Sequence, residues 1–163
     1  MDAKFARLFI FVLMLSACSG GGSDGGGNTE YVSLSNNQAA SVVIGQADFV
    51  SNDVNQGGSV DANTLFATNG NPAIYNGILY VADYNNNRVL GFNSIPSVNN
   101  IPADFVLGQV DLTSSSAGTS AVKFNGPSTV AIGSEKMALA DSRNNRVLLW
   151  NTVPTSGNVA ADI

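Results

Sequence analysis

The 163-residue chain contains no His, a single Cys, few charged residues (12%) and few aromatics (8%). Without His the commonest general base and metal ligand is missing, so neither a Ser-His-Asp triad nor a His-ligated zinc or haem site can be assembled from these residues. No catalytic set, cofactor site or metal site stands out, and Asp61-Ala62-Asn63 is only a fragment of an oxygen-rich calcium loop. The 7 Lys and Arg are outnumbered by 12 Asp and Glu, for a net charge of -5. Such a balance lacks the clustered cations that displace counterions from a nucleic-acid backbone, and nucleic acid is excluded as a partner. Long helices are disfavoured as well, because the 17 Gly and about twenty Asn prefer turns to helix interiors. A turn-rich β protein of ordinary single-domain size remains.

What is present begins with an address. Residues 1–17 read as a signal peptide, with Lys4 and Arg7 followed by an unbroken apolar run from Leu8 to Leu15 and then small residues. The run is well short of the roughly 20 residues that span a bilayer. It ends in Leu15-Ser16-Ala17-Cys18, which resembles the lipobox of bacterial lipoproteins. The resemblance implies acylation of Cys18, a lipid anchor in a membrane and a place in the bacterial cell envelope. Ser19 after the Cys implies the outer membrane. Residues 18–40 open with a Gly/Ser-rich stretch that has too little apolar surface to offset chain entropy, and they read as a flexible tether.

The remaining residues, 41–163, repeat themselves. Ala82-Asp83-Tyr84-Asn85-Asn86-Asn87-Arg88-Val89-Leu90 returns as Ala140-Asp141-Ser142-Arg143-Asn144-Asn145-Arg146-Val147-Leu148, an offset of 58 from Asp83 to Asp141 that also relates Pro96 to Pro154. Upstream, Val43-Ile44-Gly45-Gln46-Ala47-Asp48 matches Val106-Leu107-Gly108-Gln109-Val110-Asp111 at an offset of 63 from Gly45 to Gly108. The loop that follows therefore differs in length between copies. Each copy decodes into four short β runs, at 73–75, 78–82, 88–92 and 104–107, and again at 129–132, 137–140, 146–150 and from 161. Asn76-Gly77 is a hairpin turn, and Asn85 to Asn87 supply left-handed backbone.

The element D-x-x-N-N-R, between an aliphatic strand and Val-Leu, resembles the NHL repeat of β-propellers. Leu79-Tyr80-Val81-Ala82-Asp83 with Asn86, Arg88 and Val89 carries the pattern, and Asp141, Asn144, Arg146 and Val147 keep it in the second copy. The resemblance implies an all-β fold, two four-stranded antiparallel blades of an incomplete propeller at 72–108 and 127–163, with an outer strand at 41–45. It also implies an N-terminal fragment of a larger ring, because blades bury their faces against other blades.

For the repeated polar residues the expectation is structural. Asp83 with Arg88, and Asp141 with Arg146, bracket a tight turn across which a carboxylate and a guanidinium share hydrogen bonds. Asn86 and Asn144 cap turn backbone. Gly45-Gln46 and Gly108-Gln109 satisfy backbone at a strand end, with ligand binding as the alternative. Tyr80, Tyr84, Phe92 and Trp150 are expected to pack within the blades rather than to form a sugar-stacking platform, for which Tyr84 is the best-exposed candidate. The functional expectation is a surface-anchored propeller lipoprotein acting as a binding scaffold for protein or carbohydrate, more a binding module than an enzyme. The alternative is a lyase or hydrolase with a channel metal whose catalytic residues lie in missing blades.

Overall fold

A computed structural model describes residues 36–163, and its compact unit spans Ala39–Ile163. The readings of residues 1–17 and of Cys18 lie outside the described residues. Seven strands form two antiparallel sheets: β1 (Ala73–Tyr75), β2 (Ile78–Asp83), β3 (Arg88–Phe92) and β4 (Phe105–Leu107), then β5 (Pro127–Gly133), β6 (Lys136–Asp141) and β7 (Arg146–Trp150). Neighbours in sequence are neighbours in space, in the orders β1-β2-β3-β4 and β5-β6-β7. β1 and β2 are joined through Asn76 (φ 49) and Gly77 (φ 81), the two left-handed residues that a tight two-residue hairpin requires.

Register decides what each face of the first sheet buries. Tyr80 lies opposite Gly91 and Ala82 opposite Val89, while Leu79 lies opposite Phe92 and Val81 opposite Leu90. With side chains alternating along each strand, these pairs point to opposite faces. One face presents Tyr80, Val89, Phe105 and Leu107 to Phe124, Val130, Met137, Leu139, Leu148 and Trp150, so a single apolar layer is shared with the second sheet. The other face, with Leu79, Leu90, Phe92 and Val106, is covered by Ile44, Leu65, Ile101 and Leu112 from loops. Hence β3 is buried at all five positions. Aromatic edges fill the shared layer: Tyr80 meets Phe105 at 6.0 Å between centroids and Phe124 meets Trp150 at 6.1 Å, both edge-to-face. The outer face of the second sheet is open, with Val147 59% and Leu149 39% exposed.

The expected two four-stranded blades are not what forms. The sheets are unequal, four strands and three, and neither curls with the other into a closed ring among the described residues. After Trp150 the chain passes through 151–160 without a ladder. Only Asp162 and Ile163 come back beside Leu149, through Asp162 N to Leu149 O at 2.8 Å and Leu149 N to Ile163 O at 2.9 Å. With a longer bond from Ile163 N to Leu149 O at 3.4 Å, all three centre on one residue and do not make a strand. Residues 41–45 carry no strand either: Val43 N donates to Asn99 Oδ1 at 3.0 Å, and Asn100 N donates to Val43 O at 3.0 Å. The NHL propeller identification is thus corrected to an all-β domain of two unequal open sheets.

Candidate functional site

The two D-x-x-N-N-R corners are built alike. Asp83 pairs with Arg88 and Asp141 with Arg146 across the β2–β3 and β6–β7 hairpins. Between them run single 3-10 turns, Tyr84–Asn86 and Ser142–Asn144, each closed by one left-handed Asn, Asn87 and Asn145, both at φ 54 and ψ 41. Asn tolerates that conformation better than other residues with a Cβ, which is the physical reason the residue closing each turn is Asn twice.

Each carboxylate is then divided between two tasks. Asp83 Oδ2 accepts from Arg88 Nε at 2.7 Å and from Asn86 Nδ2 at 2.8 Å, while Oδ1 accepts from Phe66 N at 2.7 Å. Asp141 repeats this with Arg146 Nε and Asn144 Nδ2, both at 2.8 Å, and Asn125 N at 2.7 Å. The remaining guanidinium protons reach backbone carbonyls of distant loops. Arg88 Nη2 donates to Asp61 O at 2.9 Å and Thr64 O at 2.8 Å, and Nη1 donates to Leu112 O. Arg146 Nη2 donates to Ser120 O at 2.9 Å and Lys123 O at 3.0 Å, and Nη1 to Thr119 O at 2.9 Å. Each corner is therefore a clamp that pins the long loop preceding its own sheet, and Arg88 also holds Leu112 in the loop between the two sheets. Burial differs: the Arg88 side chain is fully enclosed and that of Arg146 is 29% exposed.

All six repeated polar residues, Asp83, Asn86, Arg88, Asp141, Asn144 and Arg146, are thus gathered into two separate clamps rather than one site. Among the described residues, no group of three His, Cys, Asp or Glu side chains converges on a point. Several residues that sequence reasoning passed over join the two repeats. Asn87 Oδ1 accepts from Gly126 N at 2.9 Å, and its Nδ2 donates to Ser115 O at 2.9 Å. Arg143 Nη2 donates to Asn85 Oδ1 at 2.8 Å, and its guanidinium sits 4.5 Å over the Tyr84 ring. That ring, the best-exposed stacking candidate in the sequence, is half-buried beneath its own protein's cation. Position 143 departs from its repeat partner Asn85, and this mismatch was the available signal for the contact.

The Gly-Gln pairs bind backbone as expected. Gln109 Nε2 donates to Asn87 O at 2.8 Å and Ser116 O at 3.0 Å, and Gln46 Nε2 donates to Asp53 O at 2.8 Å. Two carboxylates titrate low at the turns that follow. The Ser51 hydroxyl, then the Ser51 and Val50 amides, hold Asp48 below its ordinary 3.8. The Ser114 hydroxyl, then the Thr113 hydroxyl and amide, do the same for Asp111.

No protein-family model matches this chain, and no curated protein matches it. The NHL resemblance is left without a relative to carry it, and both functional readings built on it fall with the ring: a propeller scaffold for protein or carbohydrate, and a propeller enzyme with a metal in its channel. The outer-membrane placement is dropped as well, because it rests on Ser19 alone. Among the described residues no helix is long and apolar enough to cross a membrane.

Proposed function

We propose that this chain is a lipid-tethered structural protein of the bacterial cell envelope, held to a membrane through Cys18 and carrying a domain whose repeated polar residues serve architecture rather than chemistry. The observation that supports it best is the fate of those residues. A catalytic group must keep an atom free for substrate, whereas the Asp83 and Asp141 carboxylates and their arginines are engaged with turns and loop carbonyls on every side. The anchor rests on the Leu15-Ser16-Ala17-Cys18 pattern after a short apolar run. A single lipid chain gives only reversible attachment, so stable anchoring requires more than one acyl group on Cys18.

Expression of the full chain in a bacterial host and mass spectrometry of its N-terminal peptide test the proposal. Cys18 is expected to be the first residue and to carry acyl mass, with the chain partitioning into detergent. Cys18→Ser is expected to move the chain to the aqueous phase. An unmodified thiol at Cys18 in membrane-associated protein would sink the anchor.

A further inference from the structure

Gln46 and Gln109 hold equivalent places in the two repeats. Each follows a left-handed glycine, Gly45 at φ 84 and Gly108 at φ 87, and each donates to a carbonyl seven residues on, Asp53 O or Ser116 O. The turns that come next correspond as well: Thr64 N donates to Asp61 O, and Lys123 N to Ser120 O, both at 3.2 Å. Arg88 grips the Asp61 and Thr64 carbonyls as Arg146 grips those of Ser120 and Lys123. Thr64 and Lys123 are therefore the same position in two copies.

The chemistry differs at one atom. Gln109 Oε1 accepts from the Lys123 ammonium at 2.9 Å. Gln46 Oε1 is buried and has no partner, because Thr64 brings no cation and its hydroxyl is turned to Asp61 O at 3.1 Å. A buried acceptor left unpaired is unfavourable and uncommon. Gln46 also lines a cavity of about 140 Å³, together with Ala47, Ser51, Asp53 and Gln56. Asp53, one of the lining residues, adds an acidic side chain in a chain that is already acidic.

We propose that the Gln46 cavity binds a primary ammonium group, in the place that the Lys123 ammonium occupies in the second repeat. The ammonium belongs either to a free small amine or to a lysine side chain of another protein, and the two share one recognition: an N–H donated to Gln46 Oε1, with Asp53 neutralising the charge. The inference is independent of the envelope role.

The test is an NMR titration of the purified chain with butylammonium, read at the Gln46 side-chain amide. A saturable shift is expected, half-complete at a concentration on the order of millimolar. Tetramethylammonium, which has charge but no N–H, is expected to leave the signal in place. Thr64→Lys is expected to abolish the response and raise the melting temperature by a few degrees. Should that variant not fold, Lys123→Ala provides the converse, a new butylammonium response at Gln109. A lysine peptide with blocked termini saturating at about tenfold lower concentration than butylammonium assigns the group to a protein side chain; otherwise a free amine is the ligand. A Gln46 signal unmoved by butylammonium, or moved equally by tetramethylammonium, overturns the proposal.

Discussion

A guanidinium sealed from water persists only where its N–H groups find acceptors, and Arg88 meets that condition with one carboxylate and three loop carbonyls. Removing it strands the Asp83 carboxylate, which is also fully buried, and frees three carbonyls. Arg88→Ala is expected to cost about 3–5 kcal/mol, the range for breaking one side of a buried ion pair, read as a shift in urea midpoint at constant slope. Arg146→Ala removes the same contacts from a partly hydrated side chain and is expected to cost less, about 1–3 kcal/mol. Equal losses would mean that burial does not govern the clamp. Acid behaviour is also set by single residues. Asp48 and Asp111 have folded values below 3.8, so the fold favours their charged forms. Their contribution is present above the unfolded value and is lost as pH falls through the folded one. Carboxyl titration by NMR is expected to give both midpoints below 3.8, and Asp48→Asn with Asp111→Asn is expected to flatten the acid limb of stability.

At the scale of elements, the strand ends are where pairing and turn chemistry agree. Arg88–Phe92 and Arg146–Trp150 have the limits that their apolar runs indicate, because an αL Asn precedes each and a loop follows. β5 extends to Pro127–Gly133, beyond the run at 129–132, because Pro127 pairs with Asp141 across an irregular register, a feature of the partner strand and invisible along one. The glycine after β4 shows how an element is stopped. Gly108 has φ 87, and a Cβ there would meet the Phe124 ring. Gly108→Ala is expected to destabilise by about 2–4 kcal/mol, from left-handed strain together with overpacking. Thermal or urea unfolding checks this, and a neutral substitution would show that the Phe124 ring can withdraw.

For the whole molecule the decisive feature is the apolar layer shared by the two sheets, since Tyr80, Phe105 and Leu107 on one side have Leu139, Leu148 and Trp150 as partners on the other. Neither sheet keeps its core if the other opens. Tyr80 adds a hydrogen bond from its hydroxyl to Pro154 O at 2.8 Å, tying β2 to the loop after β7. Urea unfolding is therefore expected to be a single transition, with Trp150 fluorescence and far-ultraviolet dichroism coincident. Separated transitions would make the sheets independent units. The amino-acid sequence by itself determined the duplicated module, seven of the strand positions within it but not those at 41–45 and from 161, and the Asp–Arg pairing across each turn, because periodicity, Asn/Gly turns and opposite charges five residues apart are local properties. Only the tertiary structure decided that the arginines clamp loop carbonyls, that Arg143 covers Tyr84 and that, among the described residues, the second sheet has three strands and no ring closes. A backbone carbonyl carries no residue-type signal, and strand number depends on hydrogen-bond partners brought from elsewhere in the chain.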